Sequence, residues 1–417
     1  MLDYKKSADD MMTLIKKVES EIGPRLPASE EEKKAAELLS AEYENTVGIK
    51  PVREFFKVAP IASIGAVPYC GVGGLIAFVL YYIYPLAAVI LAAFCLFYAL
   101  SMAIVYTSIF DVFWPKKDSS NLYTVQEPRG GKTDYTVMIG AHYDSSWHWP
   151  LQYKNPKTFI PKIAYGIVGV VVLIVCGIIQ IVIGKNMPVW QAIATTSYEG
   201  FWPYFCLTFP VIFVPGIYFL TQFLSHDKKL ASPGAMDNLT GVALTMQIAK
   251  YFNRNPEELP EGCRLVCASF GCEEAGLKGS KAFVKAHKDD GMLNNCYFIN
   301  VDSISDYDYF EVVTGDPLQF ASYDKEMIDM AYSCLEETGC IRKTGKIVNP
   351  IGGNDATPLH KAGVKAVTLA AQNPVPTNYY HTTADRSDRL DTRTFEEGLE
   401  VMYRLINKIN EKESGKK

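Results

Sequence analysis

No aspartate, glutamate, lysine or arginine occurs from Val58 to Phe110, from Ile163 to Gly184, or from Gly200 to Ser225. A core or surface helix of a soluble protein carries charge every turn or two, so these gaps exclude ordinary amphipathic helices over those tracts. The 10 cysteines include no C-x-x-C pair and no regular spacing. That excludes a disulfide framework as the natural reading and points to small core residues in a reducing compartment. An excess of positive charge is missing too: Lys+Arg 41 against Asp+Glu 46 gives a net charge of -5, which argues against nucleic acid as a partner.

What fills the uncharged tracts is long enough to cross a bilayer. A hydrocarbon core of about 30 Å needs a helix of roughly 20 residues. The spacing predicts transmembrane helices near 61–84, 86–110, 163–184 and 201–224, with Pro85 turning the first pair. They group into two hairpins, 58–110 and 163–225. A cleaved leader is not expected here, because the first apolar tract follows 57 residues of polar, folded-looking sequence. The remainder, residues 1–57, 111–162 and 226–417, sums to about 300 residues and suits one discontinuous α/β domain.

Within that remainder, apolar recurrence at Met11, Leu14, Ile15 and Val18 predicts a helix. Ser29-Glu-Glu-Glu32 opens a second one as a capping box. Asn121–Glu127 and Tyr135–Ala141 read as strands joined by a turn at Arg129-Gly-Gly131. Further strands are expected at Cys263–Phe270, Cys296–Val301, Phe310–Thr314 and Ala366–Ala370, alternating with helices at Leu239–Phe252, Ser280–His287, Lys325–Glu337 and Thr394–Asn410. Such alternation predicts a mostly parallel or mixed sheet flanked by helices, with the site at the carboxyl ends of strands.

Several acids and imidazoles stand at those ends. His142 and Asp144 follow one strand, Glu273 and Glu274 another, and Asp302 a third; Asp237 and His381 lie in loops rich in small residues. Each alone has a plainer explanation: a surface turn for His142, a solvated face for the paired glutamates, a helix cap for Asp237. Together, two imidazoles and three carboxylates can hold two zinc ions about 3.5–4 Å apart if one carboxylate bridges, while the remaining glutamate serves as base. Of the 6 histidines, only His142 and His381 sit in such contexts; His226, His287 and His360 read as surface or structural residues. Trp147, His148 and Trp149 suit either a cleft wall or an interfacial aromatic belt.

The order of these motifs resembles the co-catalytic zinc aminopeptidases, a group that includes bacterial leucyl aminopeptidases, glutamate carboxypeptidases and glutaminyl cyclases. The resemblance runs from Ile22-Gly-Pro-Arg25 to Asp388-Arg-Leu-Asp391 and skips the apolar tracts. It implies one zinc on His142 and Asp302, a second on Glu274 and His381, and Asp237 bridging both. It implies Glu273 as general base, Asp144 as the group orienting His142, and often a cis peptide at Asp237-Asn238. Gly352-Gly-Asn354-Asp355 falls where relatives carry a Gly-Gly-Ser/Thr-Asp segment near the substrate, and Asn354 departs from that pattern.

The expected protein is an integral membrane zinc metallopeptidase, an aminopeptidase acting on peptides, short hydrophobic ones preferred. The alternatives are a single-zinc glutaminyl cyclase and a non-catalytic membrane receptor or chaperone on the same fold. Because His142 lies between the hairpins and Asp237 after the second, each hairpin must cross an even number of times. Lys57, Lys116, Lys117, Lys154, Lys157, Lys162, Lys228 and Lys229 flank the catalytic side, against Lys185 at the far loop. That bias predicts a multi-pass cell-membrane protein with its catalytic domain in the cytoplasm.

Overall fold

The computed structural model describes residues 2–195, 201–221 and 230–415. Ten strands lie among the described residues: β1 Val52–Val58, β2 Lys117–Gln126, β3 Tyr135–His142, β4 Cys263–Phe270, β5 Cys296–Ile304, β6 Phe310–Val313, β7 Gly315–Asp316, β8 Ala321–Ser322, β9 Lys346–Ile347 and β10 Lys365–Ala371. Eight form one sheet in the order β1-β2-β4-β3-β5-β10-β6-β9, and β7 pairs with β8 as a separate ribbon. The centre, β4-β3-β5-β10, is parallel. Antiparallel pairing brings in β1 and β2 on one side and β6 on the other, so the sheet is mixed. Every residue of β3 is buried, as expected of an interior parallel strand covered on both faces.

The strands on either side of Arg129–Gly131 are not neighbours; β4 lies between β2 and β3. The linking segment binds the residues just ahead of β4, with Gly130 N donating to Glu261 O (2.9 Å) and Asp134 N to Gly262 O (2.9 Å), and so passes the start of that strand instead of closing a hairpin. The short strand β1, with the alternating burial of a sheet edge, was not expected from sequence.

Among the described residues, three helices are long and apolar enough to cross a membrane: Ile64–Ile83, Pro85–Ile104 and Pro156–Ile183. Two expected boundaries move. The helix expected over 86–110 ends at Ile104, where Ser63 Oγ donates to Met102 O (2.7 Å) and Thr107 N to Ser101 O (2.9 Å), turning the chain away. The helix expected from 163 begins at Pro156, a residue suited to the first turn because its missing N–H has no partner to lose there. In place of one helix at 201–224 the chain forms Phe201–Ile212 and Val214–Phe219, broken at Phe213 between Pro210 and Pro215; residues 222–224 lie outside the described residues.

These helices pack with small residues inward and large apolar residues outward. A Cβ on Gly166 would stand 2.5 Å from Gly216 O, so the two backbones touch. Ala77, Ala88 and Ala92 are buried while Val79, Ile90, Phe94 and Val182 are exposed. The far ends of the two apolar hairpins meet, with Leu86 N donating to Asn186 Oδ1 (2.9 Å).

Candidate active site

The site assembles where β3, β4 and β5 end. Arg25, fully buried, ties two of the loops together: its guanidinium donates to Tyr143 O (2.8 Å), Pro233 O (2.7 Å) and Gly234 O (3.0 Å), and its backbone N–H to Ser145 Oγ (2.8 Å). The loop after His142 is thereby fixed against the loop carrying Asp237. Asn238 repeats the device toward β5, donating to Val301 O (2.8 Å) and accepting from Gly241 N (3.0 Å) and Ser303 N (3.2 Å). The Asp237-Asn238 peptide is cis.

The five expected donors come together in two groups that share Asp237. Its Oδ1 lies 3.0 Å from His142 Nε2, and its Oδ2 lies 3.0 Å from His381 Nε2. Asp302 Oδ1 stands 4.0 Å from His142 Nε2, and Glu274 Oε1 3.2 Å from His381 Nε2. Each trio, His142 with Asp237 and Asp302, and Asp237 with Glu274 and His381, has its donor atoms within 4.8 Å of one another.

Asp144 does more than face an imidazole. Its two oxygens accept from Glu273 N and Glu274 N, each at 3.0 Å, which fixes the turn presenting both glutamates. His142 Nδ1 is farther away, 3.5 Å from Asp144 Oδ1. A residue whose role was not foreseen, Asp385, does the same for the bridging position, accepting from Met236 N (2.7 Å) and Asp237 N (3.1 Å). Its only sequence signal was its place four residues after His381.

Electrostatically the donor set takes up protons. Burial pushes Glu273 well above the usual carboxylate range, with Asp355, Glu274 and Asp302 adding to it and His142 opposing. Burial likewise raises Glu274, and lifts Asp302 to about 7 with help from Asp237. Burial works against charge on His381, yet Glu274 and Asp237 outweigh it and bring the imidazole to about 10. Burial would raise Asp237 as well, but the two imidazoles hold it below its ordinary value. Glu274 Oε1 is buried without a hydrogen-bond partner. Under-neutralised, buried nitrogen and oxygen donors at these spacings fit zinc, and the shared carboxylate fits a pair of ions.

Beside the donors lies a cavity of about 110 Å³, whose walls include Tyr106, Glu273, Glu311, Val313, Ile347 and Tyr380. Tyr106 was hidden inside an expected membrane helix. It has φ +56°, and its carbonyl accepts from Lys281 Nζ at 2.5 Å. Lys278 holds the same segment through Ser108 Oγ (2.8 Å) and Asp111 Oδ2 (2.7 Å). Trp149 packs edge-on against His381, ring centroids 4.9 Å apart, and its backbone N–H donates to His381 O at 2.9 Å. Trp147 bridges to Ala231, and His148 Nδ1 accepts from Thr383 N (3.0 Å), so the three aromatic residues brace the loops that carry the ligands. Asn354 lines the cavity and anchors its own loop, accepting from Thr368 Oγ1 (2.7 Å) and Tyr323 Oη (3.0 Å), while Asp355 is buried behind it. His287 is an ion-pair residue between Glu54 (3.1 Å) and Asp290 (2.6 Å), and His360 packs on Tyr323. His226 lies outside the described residues.

Comparison with known proteins bears on the fold and on the family. No curated protein matches the chain. Among solved structures, the chain is similar to an aminopeptidase from Aneurinibacillus sp. strain AM-1, with TM-score 0.57, 12% identity, and 98% of this chain and 96% of that one covered. It is also similar to BSAP, a zinc aminopeptidase from Bacillus subtilis, with TM-score 0.54, 13% identity and coverage of 96% and 94%. An Acidobacteriales bacterium glutaminyl cyclase gives TM-score 0.54 and 13% identity over 97% and 95%. The chain thus has the α/β fold of zinc aminopeptidases and glutaminyl cyclases, and its residues 223–406, which carry Asp237, Glu273, Glu274, Asp302 and His381, match peptidase family M28.

Proposed function

We propose that this chain is a zinc metallopeptidase of the membrane, an aminopeptidase that removes the end residue of a peptide. The observation that carries the reading is the shared carboxylate: Asp237 presents one oxygen to each histidine at 3.0 Å. Zinc held by His142, Asp302 and Asp237, and by Glu274, His381 and Asp237, would supply Lewis acidity to the scissile carbonyl and to the attacking water. Glu273, lining the cavity and held by Asp144 through its backbone N–H, accepts the proton of that water and returns it to the leaving amine. Tyr380, adjacent in sequence to His381 and stacked on its imidazole, also lines the cavity.

A shared carboxylate favours two ions per chain and so hydrolysis over a single-zinc glutaminyl cyclase; a receptor or chaperone role would leave this complete donor set without a use. The membrane part of the reading is supported by three long apolar helices, by their inside-small, outside-large packing, and by hairpin tips that meet at one end. A cytoplasmic catalytic domain is supported by the lysine bias. The cavity lies close to the bilayer in this reading, because Tyr106 is two residues past the helix end at Ile104. Short apolar peptides, concentrated at that surface, are the substrates it favours. Comparing kcat/KM for matched apolar and polar peptides in bilayers and in detergent tests this; equal values throughout would reduce the helices to an anchor.

A further inference from the structure

The cavity has a floor that the peptidase chemistry does not use. Asp302 pairs in register with Ala370, and Ala370 with Glu311, so the three residues run in one row across β5, β10 and β6. Val313, two residues from Glu311 on the same face, pairs with Thr368 and with Ile347. All of these line the cavity. The result is an apolar shelf of Ala370, Val313 and Ile347 that ends in one acid.

Among the described residues that acid has no ion-pair partner. Glu311 is 3% exposed, and its Oε2 is buried without a hydrogen-bond partner. Burial pushes its carboxyl up to about 8, opposed by Thr344 and reinforced by Asp306, with no basic group among the causes. An ionised carboxylate here needs a cation delivered from outside.

The reach is defined by the sheet. Two strand spacings place Glu311 about 10 Å from Asp302. An extended chain of four methylenes spans about 6 Å from Cα to the ammonium, and a hydrogen bond adds about 3 Å. A residue held beside Asp302 with a lysine-like side chain therefore ends at Glu311, its stem on the apolar shelf.

Resting on the peptidase reading above, we propose that Glu311 is the specificity-determining residue of this pocket and selects a peptide end residue with a linear primary-ammonium side chain. The preference concerns that end residue alone; the rest of the peptide is free to be apolar.

The test uses the full chain, zinc-loaded in detergent, with lysine and its uncharged near-isostere norleucine as probes. Calorimetry compares lysinamide with norleucinamide, and kinetics compares Lys-Ala-Ala with norleucyl-Ala-Ala. The expected result is a lysine preference of about 10-fold or more in both, lost in Glu311→Gln. Parity or a norleucine preference in the wild-type chain overturns the proposal whether or not the variant folds. An unchanged ratio in Glu311→Gln overturns it too. If neither peptide is cleaved but lysinamide still binds tighter in a Glu311-dependent way, the pocket stands and the hydrolytic reading falls. Cleavage of both peptides without a lysine preference does the reverse.

Discussion

Replacing Asp144 by asparagine should damage the metal site more than the distance to His142 suggests. The carboxylate accepts two backbone N–H groups, from Glu273 and Glu274, each at 3.0 Å, whereas His142 Nδ1 is 3.5 Å away. An asparagine offers one oxygen, so one of those bonds is lost and its amide N–H is set against a peptide N–H. A hydrogen bond to a charged group contributes about 1.5–3 kcal/mol, and a buried unsatisfied donor costs about 1–3 kcal/mol more. A middle figure of about 4 kcal/mol corresponds to roughly 1000-fold in an equilibrium or rate constant. Because the turn presents both the ligand Glu274 and the base Glu273, the penalty should divide between them. Asp144→Asn should weaken zinc binding about 10- to 100-fold and lower kcat/KM by about 100-fold with zinc saturating. Competition with a chromogenic chelator gives the first number and steady-state kinetics the second. If both stay within about twofold of wild type, with the fold intact by thermal melting, Asp144 does not position the glutamate turn.

Tyr106→Ala should widen the cavity and raise kcat/KM for bulky end residues relative to alanine by about 10-fold, leaving zinc content unchanged; steady-state kinetics on a peptide series and metal analysis check this. Lys281, which holds the Tyr106 carbonyl, is lowered by burial to about 7, with Lys278 adding to the effect and Asp111 opposing. The folded chain sheds this proton before the unfolded one does, so stability should rise as pH climbs from about 7 toward 10.5 and level off on either side of that window. Lys281→Met should flatten that part of the melting-temperature profile. For topology, cysteines introduced at Asn186 and Ser414 should react with an impermeant thiol reagent on intact cells at Asn186 alone; labelling at Ser414 alone would invert the orientation.

The donors were legible in sequence because each sits where an apolar strand stops and an acid or imidazole follows, a change of character that burial makes costly without a purpose. His142 after Ala141 and Asp302 after Val301 are of this kind. Helix boundaries at polar caps were equally plain: Ser29 caps Glu32 N at 3.1 Å. Features set by partners distant in sequence were not legible. The insertion of β4 between β2 and β3 depends on bonds from Gly130 and Asp134 to residues 261 and 262. Tyr106 shares the apolar character of the helix before it, so nothing local marks the end at Ile104; the turn is made by Ser63 from an earlier segment. Asp385 and Arg25 look like ordinary loop residues until the backbone groups they bind are known.

The central claim is that Asp237 serves two metal ions at once. The direct measurement is zinc per chain by mass spectrometry on the purified protein, wild type beside Asp237→Ala. Two ions in the wild type, and loss of tight binding of both in the variant, are predicted. One ion in the wild type, or one still tightly held without Asp237, would contradict it.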